Sequence, residues 1–351
     1  MFIIRTLPAC LLLLAFFASG AAAQNAGRVD FAQEPACQSL TPVSMGGPAP
    51  RHADLVVVRY LGSSNHEIAY RDTVLLLNAH YARVPPARPL GFAREDVTKA
   101  DAILVGHGHG DHMSDAPFVA RRTGARLVGA PITAAQAEKM GLDRRQIVAV
   151  TGKTGGAGET VTFGAVVVEP ILGRHGAGGD AADEATSEAF RALQKATGIT
   201  RTPEQQAAAR AAQDGSRDPR IVLEGVITYL LTFNNGFRII FRDTSGVDDT
   251  GMGTEWERAV MKRIGRTDVA IVSYSVLLPQ AQTTTVPLVR LYNPRVYMPT
   301  HHDEVGAGRL DSPMEPLLLT LRDELKVRGI SPLYRTPVCF NTQTRESYVG
   351  Q

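Results

Sequence analysis

The chain has 351 residues, a formal charge of +2 and 44% hydrophobic residues. That is enough for one large domain with a substantial core. The near-balanced charge carries no long single-sign block, which argues against nucleic acid as a partner.

At the N-terminus, Arg5 precedes the apolar run Ala9 to Ala18, which is too short to span a bilayer. Ala21-Ala22-Ala23 offers small residues for cleavage before Gln24. Residues 1–23 are therefore expected to be a secretion signal, and the mature protein to be periplasmic or secreted with no membrane span. Leu7-Pro8-Ala9-Cys10 precedes the apolar run instead of following it, so no lipidation is expected. Loss of the signal removes Cys10 and leaves Cys37 and Cys339. In an oxidising compartment these two can pair, and otherwise they are free thiols. Residues 24–51, rich in Pro, Gly, Ala and Ser, are expected to form an extended or poorly ordered lead-in. Residues 52–351 follow as the folded domain.

Asp54 to Tyr60 is a strand by its β-branched run. After a turn at Gly62 to Asn65, Ile68 to Tyr70 and Thr73 to Leu77 read as hairpin strands. Pro85 and Pro86 place a loop at 84–88. Asp101 to Val105 is a short apolar strand. It runs into Gly106-His107-Gly108-His109-Gly110-Asp111-His112. The glycines forbid a regular strand or helix there, so the run is a tight loop in which the imidazoles can converge. Three of the chain's nine histidines lie in this six-residue window, too dense a cluster to read as scattered surface residues. Neutral imidazole and carboxylate are good ligands for divalent metals.

Ala116 to Thr123 reads as a helix stopped by Gly124. A strand at Arg126 to Gly129, a helix at Ile132 to Met140 and a strand at Ile147 to Val150 follow, an α/β alternation. Lys153-Thr154 precedes the glycines at 155–158, the reverse of the order in a phosphate loop. A strand pair begins at Thr160, and His175 follows it between glycine-flanked neighbours, a position that suits a metal ligand. Residues 176–220 are rich in Ala, Gln, Glu, Asp and Arg, with helical runs at Glu184 to Ala196 and Pro203 to Gln213. They are expected to be an inserted helical hairpin, either shaping the substrate pocket or decorating the surface. Ile221 to Phe233 reads as one long strand, turned by Asn234-Asn235-Gly236 into a return strand at Phe237 to Phe241. Asp243 then ends a buried strand, where a carboxylate is costly unless paired or ligated. Thr254 to Ile264 is a helix, Asp268 to Ser273 a strand, Thr283 to Leu291 a helix, and Pro294 to Met298 leads to Pro299-Thr300-His301-His302. A helix at Pro316 to Val327 precedes a tail that packs through Cys339.

The spacing His107-x-His109-x-Asp111-His112 is specific. It resembles the metallo-β-lactamase superfamily, over about Leu55 to Val305. The chain is most similar to the branch holding ascorbate-phosphate lactonases and N-acyl-phosphatidylethanolamine phospholipase D. The resemblance implies an α/β fold, a four-layer αββα sandwich with a helical insertion and the site at one edge between two sheets. It implies His107, His109 and His175 on one metal, Asp111, His112 and His301 on a second, and Asp243 bridging. His302 is the rival of His301, because adjacent residues on an extended segment point opposite ways. The cofactors implied are two divalent ions, zinc first and manganese or iron as alternatives. The reaction implied is attack of a hydroxide bridged by both metals on a small-molecule lactone, ester or phosphodiester. Asp111 would orient it and carry a proton. Amide hydrolysis of the β-lactamase type and a catalytically silent binding protein are the alternatives. The family carries Asp-Pro after the first hairpin, and here Asn78-Ala79 stands instead, followed by His80. Either Asn78 or His80 reaches the metal rim and contacts substrate, or Asn78 closes a turn and His80 is an ordinary loop residue.

Overall fold

The computed structural model describes residues 29–82, 88–153, 159–176, 202–203, 219–274, 281–303 and 314–350. The expected signal segment, the loop at 84–88 except its last residue, the turn at 155–158 and the bodies of the two insertion helices lie outside them.

Among the described residues the strands are β1 (Leu55–Tyr60), β2 (His66–Tyr70), β3 (Thr73–Leu77), β4 (Ala102–Leu104), β5 (Arg126–Gly129), β6 (Ile147–Ala149), β7 (Val161–Phe163), β8 (Val166–Leu172), β9 (Ile227–Thr232), β10 (Arg238–Arg242), β11 (Val269–Ser273), β12 (Val296–Thr300), β13 (Arg328–Gly329), β14 (Pro337–Asn341) and β15 (Ser347–Val349). They build an eight-stranded sheet in the order β15-β14-β1-β2-β3-β4-β5-β6 and a seven-stranded sheet in the order β13-β12-β11-β10-β9-β8-β7. The α-helices among the described residues are α1 (Pro35–Gln38), α2 (Gly110–Met113), α3 (Ala116–Thr123), α4 (Pro131–Lys139), α5 (Pro219–Glu224), α6 (Glu255–Ile264), α7 (Ala281–Tyr292) and α8 (Glu315–Leu325), with four short 3-10 turns between elements.

Strand alternation explains the layering. Val56, Val58, Leu75, Leu77 and Leu104 of the first sheet meet Val168, Tyr229, Leu231, Ile239, Phe241 and Ile271 of the second in one dry core. The opposite faces bury Leu76, Ile103 and Leu127 against α3 and α4, and Ile240, Ala270 and Val272 against α6, α7 and α8. A strand apolar on both faces is what a covered sheet requires. The result is the expected four-layer αββα sandwich.

Most local expectations hold. Gly124 caps α3 at φ +78. Thr254 caps α6, with Glu257 closing a capping box. The expected long strand from Ile221 is corrected: residues 219–224 are helical and the strand starts at Ile227. At Gly225 the backbone closes tightly on that turn, and a Cβ there would lie 2.6 Å from the Ile221 Cα. The tight approach lets Gly225 N–H donate to the Ile221 carbonyl at 3.1 Å and end the helical turn.

The lead-in is packed from residue 29 onward, not extended. Arg59 and Glu67 form a fully buried ion pair at 3.0 Å on the sheet face. Such a pair needs further partners to offset desolvation. The lead-in supplies them: Glu67 accepts from the N–H of Val43 at 2.9 Å and of Ser44 at 2.7 Å, and Arg59 donates to the Ala36 carbonyl at 2.7 Å. Cys37 and Cys339 are joined as a disulfide, which staples α1 to β14. No helix among the described residues is long and apolar enough to cross a membrane.

Candidate metal centre

Four loops build the site, each leaving the C-terminal end of a strand. The loop after β4 carries His107 and His109 and passes into α2, which holds Asp111 and His112. His175 follows β8, Asp243 follows β10 and His301 follows β12. Only β4 belongs to the first sheet, so the cluster sits at the edge where the sheets meet.

The histidine loop is held from both sides. Gly106 N–H donates to Asn78 Oδ1 at 2.8 Å, and Gly106 O accepts from Ile227 N–H at 2.7 Å across the sheets. The Tyr229 hydroxyl donates to Val105 O at 2.8 Å from the opposite sheet. A Cβ on Gly106 would stand 2.1 Å from Asp243 Oδ2, so the close approach of loop and carboxylate requires glycine there.

All seven side chains come together, as three overlapping groups: His107, His109 and His175; His107, His112 and Asp243; and Asp111, His112 and His301. Within each group the ligand atoms lie within 4.8 Å of one another. His107 Nε2 faces His109 Nδ1 at 3.1 Å, and the His175 ring centroid is 4.7 Å from that of His109. His112 Nε2 lies 3.2 Å from His301 Nε2, and Asp111 Oδ2 is 3.5 and 3.3 Å from those two nitrogens. His302 turns inward instead, buried and stacked on Tyr60 at 4.7 Å. The backbone explains the choice: His301 adopts φ +60 just past the end of β12, so the alternation of an extended strand no longer applies.

Burial pushes His107 and His175 down to about 4 and His109 to about 3, so the three imidazoles are neutral near pH 7. Neutral imidazole is the ligand form. Burial works against the charge of Asp243, yet His107 and His112 hold it well below the usual carboxylate range. Burial likewise opposes the Asp111 charge, and His112 and His301 outweigh it.

Asp243 is oriented asymmetrically. Its Oδ2 lies 3.1 Å from His107 Nδ1, 2.9 Å from His112 Nδ1 and 3.0 Å from Asn78 Nδ2. Its Oδ1 is buried with no hydrogen-bond partner. A buried acceptor left unmade costs about 1–3 kcal/mol, and a cation would satisfy it. With neutral imidazoles converging on the same space, the donor set fits divalent metal.

Two contributors, Ser64 and Arg242, were hidden from the sequence, and a third, Asn78, was singled out there without its contact to Asp243. Asn78 lies fully buried beneath Asp243 at φ +59 and does not reach a rim. Ser64 Oγ sits 2.8 Å from His112 Nδ1. Arg242, fully buried, pairs with Glu257 and donates to Arg174 O at 2.6 Å and Gly246 O at 2.5 Å, tying the His175 loop to the Asp243 loop. The only signal for Asn78 was its place in the family's Asp-Pro position. His80 makes a 2.7 Å hydrogen bond between its Nδ1 and Ser114 Oγ.

Five histidines and two aspartates at the open edge of an αββα sandwich are a centre of the kind that binds divalent metal. The chain belongs to the β-lactamase superfamily: the model of the "Beta-lactamase superfamily domain" matches residues 72–302. It is 36% identical over 74 residues to a "UPF0173 metal-dependent hydrolase" of Thermococcus onnurineus, covering 21% of this chain and 31% of that one. It is 31% identical over 119 residues to a protein of the same description from Cereibacter sphaeroides, covering 34% and 48%. The matched stretches thus span less than half of these curated relatives. Among solved structures, Igni18, a metallo hydrolase from Ignicoccus hospitalis, superposes with a TM-score of 0.54 at 13% identity, over 82% of this chain and 98% of that chain. CmlA, a diiron β-hydroxylase from Streptomyces venezuelae, gives 0.51 at 14% identity, over 83% and 55%. At these identities the likeness is one of fold.

Proposed function

We propose that this chain is an exported metal-dependent hydrolase with two divalent ions, acting on a lactone, ester or phosphodiester of a small molecule. His107, His109 and His175 would hold one ion and Asp111, His112 and His301 the other, with Asp243 as a ligand shared by the two. The observation that carries the reading is the gathering of five imidazoles and two carboxylates into three overlapping ligand groups, with Asp243 Oδ1 buried and without a hydrogen-bond partner. The curated relatives named as metal-dependent hydrolases support the activity. Zinc is the proposed occupant, and manganese and iron are the alternatives that such a donor set also accepts.

When bound, such ions supply Lewis acidity and bring the pKa of water toward neutrality. The chain's own residues do the rest. Asp111 is 29% exposed at its side chain, the more open of the two carboxylates, and is placed to orient water at the solvent side of the site and relay its proton outward. Asp243, closed off beneath, orients and does not exchange. No serine or cysteine nucleophile is required. Export is supported by the Cys37–Cys339 disulfide, a bond that persists in oxidising compartments.

The test combines elemental analysis of the exported protein with hydrolysis of a lactone panel and bis-p-nitrophenyl phosphate. Near two equivalents of metal are expected, and activity lost in H109A and D243A. Absence of metal, or activity unchanged in both variants, overturns the reading.

A further inference from the structure

We infer that Asn78 is a positioning residue for Asp243: its side-chain amide holds Oδ2 so that the carboxylate offers Oδ1 alone to a metal. The inference rests on the metal-centre reading above and goes beyond it, because the position carries a carboxylate in the family this chain resembles.

The hydrogen-bond inventory leads there. An asparagine amide has two protons to donate and one oxygen to accept. Asn78 Oδ1 takes the Gly106 N–H at 2.8 Å. Asn78 Nδ2 has Asp243 Oδ2, Ser64 Oγ and His112 Nδ1 each at 3.0 Å, so its two protons are shared among the carboxylate and its neighbours. Its backbone N–H donates to Leu104 O at 2.9 Å, fixing it to the end of the strand that launches the histidine loop. One side chain therefore locks the loop backbone and the carboxylate to each other. His107 Nδ1 and His112 Nδ1 reach the same Oδ2, so three nitrogens gather on one oxygen while the other has none. A carboxylate at position 78 presents a lone pair where Nδ2 presents a proton, and the arrangement on Oδ2 then loses a donor. Such outer partners of ligands are worth about 10–100-fold in metal affinity.

The competing explanation is that Asn78 merely tolerates its left-handed φ of +59, for which asparagine is well suited. Two variants separate the readings. N78G keeps the backbone free to adopt that φ and removes the amide. N78D keeps the shape and the acceptor for Gly106 N–H, removes the donor and adds a carboxylate charge beside Asp243. Cobalt(II) is titrated into the metal-free full-length protein and each variant at one pH. Binding is followed by competition with a chelator and by the visible spectrum, and folding by circular dichroism.

Wild type is expected to bind two cobalt ions. Both variants are expected to fold, to bind at least one ion about 10–100-fold more weakly and to show an altered cobalt spectrum. If N78G does not fold, N78D alone decides. Variants that bind both ions with wild-type affinity and spectrum overturn the inference and leave the metal centre standing. A wild-type protein that binds no cobalt overturns both.

Discussion

The Arg242 guanidinium and the Glu257 carboxylate form an ion pair with both side chains fully buried, and Arg242 lies one residue before the Asp243 of the candidate metal centre. Glu257 also accepts from the hydroxyls of Tyr292 at 2.6 Å and Thr228 at 2.7 Å. Every oxygen of the carboxylate is engaged, since its second one takes the Thr254 N–H at 2.8 Å. The pair fastens α6 to β10 and, through the Arg174 and Gly246 carbonyls, sets the separation of two site loops.

Removing one partner of such a pair leaves an uncompensated buried charge, at a cost of about 3–5 kcal/mol. E257A is therefore expected to lose about that much stability in urea titration. The double variant R242M/E257L, which buries no lone charge, is expected to lose less. An E257A protein within about 1 kcal/mol of wild type contradicts the argument.

Gly106 is expected to tolerate no side chain. In G106A the methyl group would meet the Asp243 carboxylate at 2.1 Å, and the carboxylate must move. Metal affinity is expected to drop about 10–100-fold, as for other losses of ligand orientation. Equilibrium dialysis against zinc measures this, and unchanged stoichiometry and affinity would show that the loop yields instead.

The Cys37–Cys339 disulfide spans 302 residues of sequence and is buried. Its removal in C37S is expected to cost about 2–5 kcal/mol. The loss should first free the lead-in and the Val43 and Ser44 contacts to Glu67. Melting curves with and without reductant, together with proteolysis near residue 37, report it. Identical melting in both states counts against a stapling role.

His66 is fully buried among Tyr60, His302 and Phe241. Burial first, and the neighbouring His302 second, push it down to about 3 from an ordinary 6.5. The folded value lies below the unfolded one, so between these pH values the unfolded chain binds the extra proton. Its contribution is fully present above pH 6.5 and is lost as pH falls toward 3, at up to about 1.4 kcal/mol per pH unit. H66F is expected to flatten the acid limb of the metal-free protein in that window. An unaltered slope would assign the acid sensitivity elsewhere.

Local chemistry made much of this protein legible in one dimension. Gly106 to His109 announced a convergent loop because glycine and histidine crowd there, but the expectation of no helix fails at its end, where Gly110 to Met113 form a helical turn that holds Asp111 and His112. The capping residues Gly124 and Thr254 marked real helix ends because caps are satisfied by backbone within a few residues. The four layers were implied by the resemblance to the metallo-β-lactamase superfamily, and strands apolar on both faces fill them. What depended on distant partners was hidden. Ile221 to Glu224 is apolar enough for a strand, yet residues 219–224 are helical and Ile227 begins the strand. His301 and His302 are chemically identical, and a left-handed turn at the end of β12 decides between them. Asn78 and Arg242 gain their meaning from Asp243 and Glu257, which are 165 and 15 residues away. Periodicity and spacing report on neighbours along the chain, whereas burial and ion pairing are settled by whatever the folded sheets bring alongside.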